Sequence, residues 1–171
     1  TQAASGAIGT SANILGIGGL DTGTQSFDGS LDDVRIYNRA LSTDEIKRLY
    51  KMGATFHINQ PKTSESLERG LVGSWSFDGP DISGNTAYDR SGQGNNGTLT
   101  NGPSRAIGRI GQALEFDGSN DYVDVSGLAD DPDIFSFSGW AKRNGTNSAN
   151  ISAMIFGHRN EATRLIQLSY A

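Results

Sequence analysis

Short stretches in which apolar and polar residues alternate recur along the chain, and each one predicts a β-strand. The alternation is clearest over residues 34–37, 71–77 and 135–140, where large apolar side chains fall on almost every second position. A period of two gives a strand one apolar face that can be buried. Further short apolar runs predict strands at 13–18, 97–100, 113–116, 122–125, 151–156 and 164–170.

One segment has the spacing of a helix instead. Ser42 is followed three residues later by Glu45, the pattern of a capping box in which the two side chains satisfy free amides of the first turn. Apolar residues then follow at helical intervals, at Ile46, Leu49 and Tyr50. Gly53 is suited to end the helix. The pattern therefore predicts one short helix over residues 43–51.

The connections between the predicted strands are rich in Gly, Asn, Ser and Asp, which favour turns. Residues 79–97 form the largest such region and predict a long loop. Residues 117–121, with the sequence Asp-Gly-Ser-Asn-Asp, separate two apolar runs and predict the turn of a β-hairpin. Many short strands, polar turns and one helix favour an all-β class, as an antiparallel β-sandwich or jelly roll.

The composition of the chain excludes several classes of protein and site. The 171 residues include 23 glycines and no cysteine, so disulfide scaffolds, thiolate zinc sites and cysteine nucleophiles are excluded. The net charge is −5, with 14 basic and 19 acidic residues and no basic cluster, which argues against a nucleic-acid partner. No apolar run approaches the roughly 18–20 residues that a membrane-spanning helix needs, so we expect no membrane insertion.

Two stretches together resemble the laminin-G-like, concanavalin A-like lectin/glucanase family. The first stretch is residues 27–42, with the sequence Phe-Asp-Gly-Ser-Leu-Asp-Asp-Val-Arg-Ile-Tyr-Asn-Arg-Ala-Leu-Ser. Together with the helix that follows it, this stretch is similar to the last strand and closing helix of such a domain. Residues 71–125 are similar to the first third of one, through Trp-Ser-Phe-Asp at 75–78, Asp-Arg-Ser-Gly at 89–92 and Gly-Gln-Ala-Leu-Glu-Phe-Asp-Gly at 111–118. The resemblance implies a concanavalin A-like jelly roll.

In this chain, the stretch similar to the end of a family domain comes before the stretch similar to its beginning. The first interpretation is a tandem arrangement, in which residues 1–53 are the C-terminal part of one module, 54–70 a polar linker, and 71–171 the N-terminal part of the next. The second is that the two parts close on each other as one circularly permuted sandwich. Because the chain starts at Thr1 without a leader, we interpret it as an internal part of a longer polypeptide.

Calcium is the predicted cofactor, in a structural role. Asp78 and Asp89, with nearby Asn residues, offer several oxygens in one loop, and calcium takes roughly 6–8 oxygen ligands. In the family a structural calcium commonly lies where the first and last strands meet, and this implication of the resemblance adds Asp32. The metal candidates are therefore Asp32, Asp78 and Asp89. An alternative stays open, in which these carboxylates only cap their own turns.

No catalytic site is predicted. His57 and His158 lack a nearby nucleophile with a third orienting group, and the adjacent Asp32 and Asp33 would point to opposite faces of a strand. No sugar-binding site is assigned. Trp75 and Trp140 alternate with small residues and are expected in the core, and looser candidates for sugar contacts are Tyr88, Tyr122, His158 and Arg159.

The function indicated is a non-catalytic module that binds glycans or glycoproteins, within a secreted or cell-surface multidomain adhesion protein. The expected partners are glycans, glycoproteins and neighbouring modules of the same chain. Two alternatives remain. The module could be a structural spacer or protein-adhesion unit, or an accessory domain of a polysaccharide-acting hydrolase whose catalytic domain lies elsewhere.

Overall fold

A computed structural model of the chain describes residues 14–19, 26–52, 67–126, 135–144 and 155–159. The strands in these ranges are β1 Ile14–Ile17, β2 Asp28–Tyr37, β3 Leu71–Trp75, β4 Ile82–Ser83, β5 Thr86–Ala87, β6 Gly97–Thr100, β7 Ser104–Ile107, β8 Gln112–Asp117, β9 Tyr122–Ser126, β10 Ser136–Arg143 and β11 Phe156–Arg159. Helix α1 covers Thr43–Met52, and a 3₁₀ turn covers Gly79–Asp81. Of the strand predicted at 151–156, residues 151–154 lie outside the described residues and Phe156 begins β11. The strand predicted at 164–170 lies outside them entirely.

The strands form two antiparallel sheets. One has six strands in the order β11-β1-β9-β6-β5-β4, and the other has five, in the order β10-β2-β8-β7 with β3 also paired to β2. Apolar side chains from both sheets fill the space between them, among them Leu15, Ile17, Phe27, Leu31, Val34, Trp75, Phe77, Phe116, Val123 and Val125. The predicted class, an all-β antiparallel sandwich with one short helix, is confirmed.

The N-terminal part of the chain supplies inner strands to both sheets. Strand β2 hydrogen-bonds to β3, β8 and β10, and strand β1 hydrogen-bonds to β9 and β11. Residues on either side of the predicted linker therefore share both sheets and one core, the arrangement that the second interpretation describes. The division into modules at 1–53, 54–70 and 71–171 stays a prediction.

Strand β2 has an unusual neighbour arrangement on one of its sides. Its residues 34–37 pair with β3, and its residues 28–31 pair with β8. Asp32 and Asp33 fall between these two pairings, and Asp33 has a positive φ of 54°. This interruption, at Asp32 and Asp33 between the part of β2 that pairs with β8 and the part that pairs with β3, is called the β2 gap. It positions the acidic side chains of the candidate site.

The predicted hairpin over 113–125 is wrong. Strand β8 lies in the five-stranded sheet and β9 in the six-stranded sheet, so residues 118–121 cross from one sheet to the other. An Asp-Gly turn between two alternating runs is compatible with both connections, because each places the apolar faces towards a core. The loop predicted at 79–97 also contains the short pair β4–β5, and β7 was not predicted because its side chains are mostly exposed.

The capping box of α1 is present as predicted. The Ser42 amide donates to Glu45 Oε2 at 2.8 Å, and the Glu45 amide donates to Ser42 Oγ at 3.4 Å. Arg39 also donates to both Glu45 carboxylate oxygens, so the helix start is joined to the end of β2. These hydrogen bonds hold the pKa of Glu45 at about 2, below its ordinary 4.5.

Substituting Glu45 tests this junction. Because the pKa of Glu45 is lowered in the folded chain, its contribution to stability should be present above about pH 4.5 and be lost as pH falls towards 2. Glu45→Gln should lower the Tm at neutral pH and leave it unchanged near pH 2. The matched control is Asp44→Asn at the exposed neighbouring carboxyl. A deficit of the same size at every pH would contradict the assignment.

The shared core predicts one cooperative unfolding transition. Tryptophan fluorescence, which reports on the buried Trp75 and the half-buried Trp140, and far-UV circular dichroism should give the same denaturation midpoint. Phe116→Ala removes a fully buried ring and should lower the free energy of unfolding by about 3–5 kcal/mol for both probes together. Ile107→Ala, at an exposed side chain, should change it by less than about 0.5 kcal/mol. Two separate transitions would show that the two parts of the chain fold independently.

Candidate functional site

Asp32 lies in the β2 gap and binds the turn between β7 and β8. Its side chain is only 3 % exposed, and Oδ2 accepts a hydrogen bond from the Ile110 amide at 2.8 Å. The backbone of Ile110 and Arg109 lowers the pKa of Asp32 and so partly offsets the effect of burial. Gly108 allows this close approach, because a Cβ there would lie 2.6 Å from Asp32 Oδ2. The other oxygen, Oδ1, is buried without a hydrogen-bond partner in the structure.

Asp78 reaches the same turn from the end of β3. Its Oδ1 accepts a hydrogen bond from the Gln112 amide at 2.7 Å. Gly111 has a φ of 64° and lies against this carboxylate, so that a Cβ at that position would collide with it. Asp32 and Asp78 therefore hold one turn through neighbouring amides. Two glycines are needed there, since both carboxylates contact the backbone directly.

The carboxylates of Asp32, Asp33 and Asp78 lie close enough for their negative charges to repel. Burial raises the pKa of Asp32 to about 6, and the negative charges of Asp33 and Asp78 act in the same direction. Burial also raises the pKa of Asp33, although its ion pair with Arg35 at 2.7 Å counteracts the effect. A cation next to Asp32 and Asp78 would relieve both the repulsion and the unpaired Oδ1 atom.

Asp89 has a different role in the structure. Its Oδ1 accepts from the amides of Ser74 and Ser91, and its Oδ2 accepts from the Ser91 hydroxyl and the Asn95 amide. The carboxylate thus organises the loop that follows β5 and ties it to β3. Because both oxygens already receive two donors each, Asp89 does not suit a metal ion.

The structure brings together two of the three predicted metal residues. Asp32 and Asp78 contact the same turn, whereas Asp89 accepts hydrogen bonds within its own loop and from β3. Within the described ranges, no group of three or more His, Cys, Asp or Glu side chains is arranged to hold a metal. A cation bound here would need backbone carbonyls or water for its remaining ligands. Calcium binding stays a prediction.

The outer face of the five-stranded sheet presents an aromatic pair that the sequence did not indicate. Trp140 was expected in the core, but it pairs with Asp32 on the outward side of β10 and is only half-buried. Its ring centroid lies 5.5 Å from that of Tyr50 on α1, and the guanidinium of Arg109 lies 5.3 Å from its centroid. Tyr50 is 65 % exposed. The expectation for Trp75 is confirmed, since that side chain is fully buried.

A signal for the position of Trp140 exists in the sequence. Phe135 and Phe137 are two residues apart, but Trp140 follows Phe137 after three residues. Phe137 packs against the core, so a period of two places Trp140 on the opposite face. Among the looser sugar candidates, Tyr88 is exposed and Tyr122 is partly buried. The aromatic partner of Trp140 is Tyr50 and not either of these residues. The backbone of His158 and Arg159 belongs to β11, and their side chains lie outside the described part.

Comparison with known proteins supports the resemblance over part of the chain. Residues 1–47 match the sequence model of a laminin G family assigned to the concanavalin A-like lectin/glucanases superfamily. This stretch includes β1, β2 and the start of α1. No curated protein and no solved structure matches the chain.

The match and the sandwich indicate the same general class of protein. Laminin G-like domains are carbohydrate- or protein-binding modules, generally non-catalytic and typically extracellular. The chain is similar to this class in its N-terminal part and in its architecture. In the described residues, no helix has both the length and the apolar character required to cross a membrane.

Proposed function

We propose that the chain is a non-catalytic glycan- or glycoprotein-binding module of a secreted or cell-surface adhesion protein. The observation that carries this proposal is the family match at residues 1–47 on a two-sheet sandwich. The exposed aromatic side chains beside α1 support it, because Trp and Tyr combine a large apolar face with a polar group and are common in recognition surfaces.

The way in which acidic side chains are used supports the non-catalytic part of the proposal. Glycoside hydrolysis needs two carboxyl groups that face one bond across a cleft. Here Asp33 binds Arg35, Asp81 binds Arg90, and Glu45 binds Arg39. Asp89 accepts four hydrogen bonds from its own loop and β3. These carboxylates stabilise the fold through ion pairs and turns.

Calcium is proposed as a structural ligand held by Asp32 and Asp78. The buried, unpartnered Oδ1 atom of Asp32 and the neighbouring charge of Asp78 fit a divalent cation. When bound, calcium would supply positive charge that joins the β2 gap to the turn between β7 and β8. Asp89 is left out of this site because its oxygens are occupied by hydrogen-bond donors.

Binding to a glycan array tests the proposed function. The 171-residue chain should bind a defined set of glycans in calcium buffer, and chelation by EDTA should weaken the binding. The same chain, unfolded by heat, is the control for non-specific adhesion. Failure to bind any glycan in either buffer would contradict the glycan-binding proposal and would favour a spacer or protein-adhesion module instead.

Calcium binding is tested by thermal unfolding. Calcium at about a hundredfold excess over its Kd should add roughly 2.7 kcal/mol to the free energy of unfolding, and so raise the Tm. Asp78→Asn should abolish this increase. Asp89→Asn should lower the Tm in EDTA but preserve the increase that calcium gives. The absence of an increase in the unsubstituted chain, or its loss in Asp89→Asn alone, would contradict the assignment to Asp32 and Asp78.

A further inference from the structure

The connection between β6 and β7, residues 101–103, begins with an Asn-Gly pair at the protein surface. Asn101 and Gly102 are both exposed, with positive φ values of 64° and 106°. Beyond its chain neighbours, no heavy atom lies within 4 Å of the place that a Cβ on Gly102 would occupy. The peptide unit between these two residues is therefore surrounded by solvent, and it can rotate without displacing another part of the fold.

An Asn-Gly pair is chemically labile because its two residues can react with each other. The backbone nitrogen of the glycine attacks the Cγ carbon of the asparagine side chain, which closes a succinimide ring, and the side-chain amide leaves as ammonia with the proton of the attacking nitrogen. Water then opens the ring at one of its two carbonyl groups and leaves either aspartate or isoaspartate. Glycine favours the attack because it has no Cβ to obstruct it.

The reacting atoms of Asn101 and Gly102 are not held by other groups. Within the described ranges, the Gly102 amide donates no hydrogen bond and Asn101 Oδ1 accepts none. The attacking nitrogen must lose its proton, which is easiest for an amide that faces solvent. The side chain is held only through its leaving group, since Asn101 Nδ2 donates to the Asn120 carbonyl at 2.8 Å.

Another Asn-Gly pair, Asn96-Gly97, has the same two residues in a protected setting. Gly97 begins β6 and is buried, and a Cβ there would lie 2.5 Å from Val123 Cγ1. The side chain of Asn96 is held through Oδ1, which accepts a hydrogen bond from the Asp89 amide at 3.0 Å. A succinimide at this position would require the start of β6 to leave its place beside β5.

We propose that Asn101 is a site of spontaneous modification, at which the folded protein converts asparagine through a succinimide to aspartate and isoaspartate. The reaction does not depend on what the module binds. It consumes one water and releases one ammonia, and it leaves a carboxylate that adds a negative charge to the chain. In the isoaspartate product, the backbone also runs through the former side chain and is one methylene longer.

The modification acts on a contact between two crossings of the sandwich. Residues 101–103 connect the six-stranded sheet to the five-stranded sheet, and residues 118–121 connect them in the opposite direction. The bond from Asn101 to the Asn120 carbonyl joins these two connections. After conversion, a carboxylate oxygen would face that carbonyl oxygen, and two acceptors cannot form a hydrogen bond. Conversion should therefore remove the contact and lower the stability of this end of the sandwich.

Timed incubation of the intact 171-residue chain tests the proposal. The folded chain and a sample unfolded in urea are kept at mildly alkaline pH in water labelled with heavy oxygen, which enters the product when the succinimide opens. Digestion at acidic pH and peptide mass spectrometry then locate the label. Folding should slow conversion at Asn101 by less than about tenfold, and at Asn96 by more than about a hundredfold, because β6 must first open locally.

Variants connect the conversion to its effect on stability. Asn101→Gly keeps a residue that tolerates the positive φ and removes the reacting side chain, so this variant should lose both the label at position 101 and the fall in Tm that conversion there causes. Asn96→Ser is the matched control and should retain both. The converted fraction, separated by anion exchange through its additional charge, should unfold at a lower Tm than the unconverted fraction.

Three results would overturn the inference. The first is protection of Asn101 by folding to the same extent as Asn96, and the second is label that appears at Asn96 before Asn101 in the folded chain. The third, an equal Tm for the converted and unconverted fractions, would contradict the role of the bond to Asn120. Circular dichroism during the incubation confirms that the chain remains folded while it reacts.

Discussion

The pairing of β2 on both of its sides is the constraint on which the rest of the structure depends. One side pairs with β10, and the other is shared between β3 and β8. A strand with two successive neighbours on one side cannot keep an uninterrupted ladder, so a short stretch is left between them. Asp32 and Asp33 occupy that stretch, and their polar side chains satisfy backbone amides and Arg35 where no neighbouring strand does so.

Several other features follow from this interruption. The turn between β7 and β8 is drawn into it by Asp32 and Asp78, and glycine is required at 108 and 111 because carboxylates lie where a Cβ would be. Arg109 projects from the same turn towards Trp140, which pairs with Asp32 on the outer face. The acidic pair Asp32 and Asp78 and the aromatic pair Tyr50 and Trp140 therefore depend on one backbone arrangement. A change in the turn would affect both.

The sequence was informative where the signal was local. The helix, its capping box and the strand around Val34 follow from spacing within a few residues, and the structure confirms them. The partners of each strand depend on contacts distant in sequence, so a local pattern could not separate a hairpin at 117–121 from a crossing between sheets. For the same reason Asp89 looked equivalent to Asp32, although the first lies among donors of its own loop and the second is buried with one oxygen unpaired. Trp140 alternates with small residues like a core strand residue, but its odd spacing from the core-packed Phe137 places it on the outer face.

The location of β1 and β2 within their sheets has a consequence for how the chain reaches its native state. Both strands are synthesised before every strand that they pair with. Ile17, for example, pairs with Phe156, near the end of the described chain. Contacts between residues so distant in sequence give a high contact order, which slows folding because long loops must close before the contacts form. Until the later strands are synthesised, the apolar faces of β1 and β2 remain uncovered, and such transiently exposed surface is prone to aggregation.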